Sequence, residues 1–299
     1  AVPSDLASFL KLCDQLHINR TDDNEEFINT ILASAKDHAM AVYGTGYWAD
    51  HWDYYIDLIE AYLAIFPDGE ETLMYDNELA YFFSTATVRL APKSKAQEQE
   101  DFRNSKTGLL GIEASWQRTK DGKTFKSTPI AKLFLLAAIK FAMRDAWGMG
   151  IEYEGGRPGW LDSMNGLPGM VGSGMPETYE LLLLMKYVKK VVDSYDRDIV
   201  VPAELGDMID TVEAALDDLV AASYKDEFPL PRDVPDTLFK YWNITATARE
   251  TYRSEVEYYF SGETTIYTAK TISKILKRWI KEVELGIERA NSFRNDWSR

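Results

Sequence analysis

His51-Trp52-Asp53-Tyr54-Tyr55-Ile56-Asp57-Leu58-Ile59-Glu60-Ala61-Tyr62-Leu63-Ala64-Ile65-Phe66 has the spacing of a helix. Trp52, Tyr55, Ile56, Ile59, Tyr62 and Leu63 recur three and four positions apart, which gathers them into one apolar stripe, and Pro67-Asp68-Gly69 stops the run. The same period continues on both sides. Upstream, Ser4 to Leu16 opens on an N-cap serine and aligns Leu6, Phe9, Leu10 and Cys13. Asp23 to Tyr43 is a second amphipathic helix, stopped by Gly44 and Gly46. Downstream, Glu70 to Arg89 is expected as a helix that ends before Pro92.

A non-helical interval follows from Thr107 to Thr128, in which Ser115–Thr119 and Lys123–Ser127 flank Asp121-Gly122, the signal of a small β-hairpin. Helices are expected again from Pro129 to about Trp147, Glu177 to Ser194, Pro202 to Lys225, Asp236 to Phe260 and Thr264 to Asn291. Helices joined by short connections, with one hairpin insertion, predict an all-α fold. Successive helical hairpins close into an (α/α) toroid of the six-hairpin type. The helices counted here are fewer than a full ring needs, so the ring is expected to be incomplete within a single domain spanning 1–299. A spectrin-like or solenoid array fits the pattern as well.

Composition narrows the function classes. A net charge of −15 argues against a nucleic-acid binder, because phosphate backbones demand clustered Lys and Arg. The longest apolar run, Ile130 to Met143, is interrupted by Lys132 and Lys140 and falls short of the roughly 20 residues that span a bilayer. A soluble protein without membrane insertion is expected. Cys13 is alone, which leans towards a reducing, cytoplasmic compartment and excludes an internal disulfide. Asn19-Arg20-Thr21 and Asn243-Ile244-Thr245 match the glycosylation sequon, a pattern that chance often produces. The first residues have neither initiator Met nor signal-peptide character, so the chain is expected to come from something longer. The 8 Trp, 17 Tyr and 13 Phe supply flat faces that stack on sugars or fill a core, and position must decide which.

Chemistry concentrates between Gly148 and Pro176. The interval is too rich in Gly and Pro for a regular element, and a long loop inside a compact helical domain is usually functional. Its glycines let the backbone approach a ligand closely. Trp160, Asp162 and Asn165 offer a stacking face, an acid and an amide, the equipment for holding a sugar and protonating its glycosidic oxygen. An aspartate also caps helices and a tryptophan also plugs cores, and the residues alone leave both readings open. Other chemistries lack their patterns. His17, His38 and His51 are scattered without metal-ligand spacing, no phosphate-cradling Gly-rich loop with Lys is present, and Gly172-Ser173-Gly174 is too short for a nucleophile elbow. Cys13 sits on an amphipathic face as a core residue.

The run Gly159-Trp160-Leu161-Asp162-Ser163-Met164-Asn165-Gly166 resembles the Trp-Asn-Asp-Gly-Met-Asn signature of cellobiose phosphorylases and their relatives. The longer stretch from Arg157 to Thr178 is closer still to the β-1,3-glucan (laminarin, paramylon) phosphorylases. Leu161 departs from the Asn of the cellobiose phosphorylase signature but leaves the acid in place. In those families the motif Asp is the general acid, which implies that role for Asp162. Tyr43 to Tyr55 is similar to the tract lining the donor-sugar subsite. The resemblance implies hydrogen bonds from sugar hydroxyls to Asp50 and Asp53, and a ring face from Tyr47, Trp48 or Trp52. By the helical spacing, Trp52 and Tyr55 belong instead to the buried stripe. Trp242 to Arg253 with Ser261-Gly262-Glu263 is also similar, though alone it reads as a solvated helix and a turn.

The resemblance runs from about residue 40 to the end and covers only part of such an enzyme, which also carries β-sandwich domains. The partners it implies are a β-glucan or oligosaccharide, inorganic phosphate as co-substrate, and the remaining domains or a second copy. No other cofactor and no metal are implied. Substrate contacts are expected from Arg157, Trp160, Asn165 and Glu177, with Ser173 and Gly174 as assistants to an anion. In an inverting phosphorylase one acid protonates the leaving oxygen while phosphate, already anionic, attacks from the opposite face. An inverting hydrolase instead needs a second carboxylate to activate water. Glu152, Glu154 and Glu177 are the candidates for it. The first two also read as solvated loop charges, and Glu177 as the dipole partner of the following helix. A raised pKa is expected of Asp162 if it donates near neutral pH. Phosphorolysis of a β-glucan to glucose 1-phosphate is the leading expectation. Hydrolysis on the same scaffold and a non-catalytic module derived from such an enzyme are the alternatives.

Overall fold

The structure is a computed structural model that describes residues 54–81, 116–153, 172–226, 230–256 and 259–293. By its internal contacts the chain divides into Ala1–Ala41 and Val42–Arg299, and every described residue belongs to the second unit. The helices expected over Ser4–Leu16 and Asp23–Tyr43 lie outside the described residues.

The second unit is mostly helical with small two-stranded sheets. Helix α1 spans Tyr54–Ile65. Ile56, Ile59 and Leu63 of the expected stripe pack on the core, but Tyr55 and Tyr62 are 42% and 36% exposed, so the buried face is narrower than its periodicity implies. A 3-10 turn over Pro67–Gly69 follows, then a single π-helical turn at Thr72–Asp76. The expected helix from Glu70 to Arg89 therefore breaks early. Asn77 turns extended and its side-chain amide donates to the Thr72 carbonyl at 2.9 Å, satisfying an acceptor that a longer helix would have used. Strand β1 (Leu79–Ala80) comes next.

The Asp121-Gly122 turn is present. Gly122 has φ +84°, the Gly122 N–H donates to Thr119, and Thr119 and Lys123 are joined across it at 2.8 Å. Its arms serve different neighbours. β2 (Arg118–Thr119) runs parallel to β7 (Tyr259–Phe260), whereas β3 (Lys126–Ser127) is antiparallel to β1. Thr128 then caps α2 (Pro129–Phe141), with Pro129 at the first position, where its missing N–H costs nothing.

Helix α2 ends six residues before the Trp147 that periodicity suggests. Short strands β4 (Ile151–Glu152) and β5 (Ser173–Gly174) pair antiparallel before α3 (Pro176–Tyr195) begins. Two strands were not legible as such. β6 (Ile199–Pro202) and β8 (Thr264–Tyr267) form an antiparallel ladder in the register Ile199↔Tyr267 to Pro202↔Thr264. The helices expected to start at Pro202 and Thr264 consequently begin later, as α4 (Ala203–Ala221) and α6 (Ala269–Ser292), the latter capped by Thr268. Between them α5 covers Asp236–Glu255, and the β-branched and aromatic residues beyond it pair as strands rather than prolonging helices.

Helix α3 packs on α6 and on α2, and α4 packs on α5. Trp279 of α6 is fully buried. It stacks on Phe141 of α2 with ring centroids 4.6 Å apart and planes 9° from parallel, with Phe134, two turns back along α2, at 6.2 Å. At the far end of α6, a Cβ on Gly286 would fall 1.8 Å from the Gly148 carbonyl oxygen. Glycine is thus what lets α6 meet the loop after α2.

Candidate active site

The glycine-rich interval that carries the signature leaves and rejoins the described fold through the β4/β5 ladder. Ile151 faces Gly174, Glu152 faces Ser173, and the Tyr153 N–H donates to the Gly172 carbonyl at 3.1 Å. Residues 154–171 lie outside the described residues, and with them Arg157, Trp160, Asp162 and Asn165. Tyr47, Trp48, Asp50 and Asp53 lie outside them too. Glu177, Ser173 and Gly174 are the expected site residues that the structure does describe.

Asp145 builds one side of this neck. Its Oδ1 accepts from the backbone N–H groups of Trp147 (3.1 Å) and Met149 (2.9 Å), and its Oδ2 from the Gly150 N–H (2.8 Å) and the Ser173 hydroxyl (2.6 Å). One carboxylate thereby ends α2, folds the loop in which Gly148 takes φ +67°, and ties that loop to β5. Thr178 adds a second tie by donating to the Met149 carbonyl at 2.9 Å. The Ser173 hydroxyl proton, expected to assist an anion, goes to Asp145, and a phosphate would have to compete for it.

Glu152 is not the solvated loop charge that the sequence suggests. It is buried beneath α5, where the Trp242 indole N–H donates to Oε1 at 2.7 Å and Arg249 donates to Oε2 at 3.3 Å. The side chains of the ion pair are 4% and 1% exposed, so both charges have left water. Arg249 also reaches the Ala142 carbonyl and Glu250. Burial pushes the Glu152 carboxyl above the usual range, while the Arg249 guanidinium and the Trp242 indole hold it back. These fixed partners make Glu152 a structural carboxylate; Glu177 is the other carboxylate of the three candidates that the structure describes.

Glu177 stands in the first turn of α3, buried, with its carboxylate over Gly174. A Cβ on Gly174 would fall 2.3 Å from Glu177 Oε2 and 3.3 Å from the Tyr153 ring, so glycine keeps that space open for the carboxylate. Burial raises the Tyr153 phenol, and the Glu177 charge raises it further. Glu177, Gly174 and Tyr153 thus meet at the mouth of the neck, where the signature segment begins and ends.

Trp242 and Arg249, seven positions apart on α5, were read in sequence as part of a solvated helix. Both instead face the neck, with buried Thr245 between them. The signal for this was an arginine in register with a tryptophan and two small residues, Thr245 and Ala246, two helical turns long. Behind the neck, Arg289 grips Asp226 at 2.8 Å and the Trp147 carbonyl at 2.8 Å, while Arg144 lies over the Phe141 ring. The cavity they line with Tyr241 measures about 20 Å³, room for a water and not for a sugar.

Among the described residues no group of three His, Cys, Asp or Glu side chains is placed to hold a metal, and no helix is long and apolar enough to cross a membrane. No family model matches the chain, and no curated protein matches it.

Proposed function

We propose that this chain is the helical catalytic core of an inverting β-glucan phosphorylase, with a β-1,3-glucan as the preferred substrate class and an (α/α) toroid as its architecture. Asp162 protonates the glycosidic oxygen, and phosphate attacks the anomeric carbon from the opposite face, giving glucose 1-phosphate. Phosphate brings its own negative charge, so no catalytic base is required. Tyr47, Trp48, Asp50, Asp53, Trp160 and Asn165 hold the sugar, Glu177 accepts from a substrate hydroxyl at the neck, and Arg157 meets the anion with backbone help from Gly174.

The observation that carries this reading is the signature run from Arg157 to Thr178, which spells an acid between ring and amide. Its support from the fold is the braced neck. Asp145 and the Glu152–Arg249 pair brace the strands on either side of Asp162 in the sequence, and a proton donor needs rigid supports. The mostly helical fold with small sheets agrees with the architecture and does not by itself choose the chemistry.

The test is release of glucose 1-phosphate from a β-1,3-linked oligoglucan in the presence of phosphate, abolished in Asp162→Asn. Release of free glucose or shorter glucan without phosphate would replace the proposal with inverting hydrolysis, for which Glu177 is the described carboxylate able to serve as base. A folded chain inert under both conditions would assign it to a non-catalytic role.

A further inference from the structure

A second cluster of reactive groups stands apart from the neck, where the β1/β3 ladder meets the first turn of α2. Lys132 of α2 places its ammonium nitrogen 4.2 Å from the centroid of the Tyr81 ring. Lys126, on the neighbouring strand, pairs with Glu78 at 2.5 Å. Lys132 has no carboxylate within ion-pair distance among the described residues. Tyr81 follows directly on β1 and Ser127 ends β3; the register that pairs Leu79 with Ser127 sets Tyr81 diagonally across from Ser127. The Tyr81 and Ser127 hydroxyl oxygens are both buried and lie near each other without good hydrogen-bond geometry, and neither has another partner among the described residues. Phe125 and Phe260 pack beside Tyr81, their rings 4.3 Å apart, with Tyr81 edge-on to both.

Two buried hydroxyls without acceptors are a cost that a folded protein normally avoids, at about 1 to 3 kcal/mol each. An amine without an anion beside it is the complementary anomaly. Burial alone lowers the Lys132 ammonium to about 8, and burial pushes the Tyr81 phenol up to about 12, with the nearby Ser127 hydroxyl partly opposing that rise. Lys132 therefore has a sizeable neutral fraction in mildly alkaline solution, while Tyr81 keeps its proton and remains a donor. As a whole residue Lys132 is half-buried.

We propose that Lys132 is a carbamylation site, taking up carbon dioxide at Nζ to form a carbamate whose oxygens accept from the Tyr81 and Ser127 hydroxyls. The ammonium first gives a proton to solvent. The freed lone pair forms the N–C bond to carbon dioxide, one C=O electron pair moves onto oxygen, and a second proton leaves nitrogen for water. The sum is R–NH3+ plus CO2 giving R–NH–COO− plus two protons, with no oxidation or reduction. The product supplies the two acceptors that the hydroxyls lack, and it replaces an unpaired cation by an anion with donors at hand. None of this depends on phosphorolysis, and it is tested without any glucan.

The experiment is carbon-13 NMR of the full chain in labelled bicarbonate at mildly alkaline pH, with trapping by an oxonium alkylating agent and peptide mass analysis. A carbamate resonance should appear that is lost in Lys132→Arg and kept in Lys126→Arg, and the trapped mass should fall on the peptide holding Lys132. Tyr81→Phe, which keeps the ring, and Ser127→Ala should each lower occupancy several-fold with the circular dichroism unchanged. The chain's α-amine gives its own signal, which the Lys132→Arg difference removes. A folded chain with no trapped mass on Lys132 would overturn the proposal, leaving a lysine that rests on an aromatic ring and nothing more. Occupancy indifferent to both hydroxyl variants would overturn it equally. Should Lys132→Arg fail to fold, the peptide assignment in the unaltered chain still decides.

Discussion

The neck and the core each contain a glutamate that accepts from a tryptophan indole and pairs with an arginine. In the neck it is Glu152 with Trp242 and Arg249; in the core it is Glu213 with Trp279 at 2.8 Å and Arg278 at 2.6 Å. The same three residue types sit at different depths. The Glu152–Arg249 side chains are 4% and 1% exposed, against 18% and 24% for Glu213–Arg278. In the core, the tryptophan ring stacked between Phe134 and Phe141 does the holding, and the ion pair trims its edge. In the neck Trp242 makes only a tilted contact with Phe239, at 5.4 Å, among the described residues, and the charges themselves fix the strands. Depth thus decides whether a charge pair supports a structure or decorates it.

The largest effects are expected where that contrast is sharpest. Arg249→Met leaves Glu152 charged and buried without its partner, at a cost of about 3 to 5 kcal/mol in chemical denaturation. Adding Glu152→Gln, which keeps an acceptor for Trp242, should recover most of the loss. Trp279→Ala should cost about as much, through the cavity it leaves among Phe134, Phe141 and their neighbours. Its loss should be recovered in part by Trp279→Phe and not at all by altering Glu213. If Glu152→Gln failed to rescue Arg249→Met, packing and not charge would be holding the neck, and the comparison would break.

Much of the helical framework was legible because α3, α4 and α6 are long and periodic, and the Gly- and Pro-rich interval ends where α3 begins; the start of α6 was not, since Thr268 caps it four residues beyond the expected Thr264. The failures have one physical origin, competition from partners distant in sequence. The run Ala142-Met143-Arg144-Asp145-Ala146-Trp147 contains good helix formers. Only the folded chain reveals that the Asp145 carboxylate collects the N–H groups of Trp147, Met149 and Gly150 and ends α2. β6 and β8 are four residues each and merge into helix starts, and neither is a strand without the other. In the candidate site, Asp162 and its neighbours carry a resemblance in sequence, on residues outside the described ones. The role of Glu152 was not legible, because its partners lie some 90 residues away on α5.

Effects of intermediate size test whether the neck exists to position its loop. Asp145→Ala strips the acceptor from three backbone N–H groups and from Ser173, at about 2 kcal/mol after water replaces part of the loss. Gly174→Ala forces the Glu177 carboxylate away from its place over β5, a strain of about 1 to 3 kcal/mol that a swing of the side chain relieves in part. Under the proposed function, Gly174→Ala should raise KM for the glucan more than it lowers the melting temperature. Equal loss of binding in a core variant of matched stability would remove the neck from any special part in activity.

The smallest expected effect is a pH dependence carried by the two glutamates. Burial raises both carboxyls, the arginine and the indole opposing it in each case. A carboxyl raised in the fold binds its proton more tightly there than in the unfolded chain. Its contribution to stability is fully present below the ordinary glutamate value of about 4.3 and is lost as pH rises through the folded value. Glu213→Gln removes the titrating group from the core while keeping an acceptor for Trp279, and should therefore flatten the fall in melting temperature from mildly acid to neutral pH. Glu152→Gln should flatten it as well but lower the whole curve, because the fully buried Arg249 then keeps only Glu250, at 3.0 Å, whereas Arg278 retains Asp217 at 2.6 Å and contact with water. Curves that shift alike in the two variants would mean that depth does not separate the two pairs.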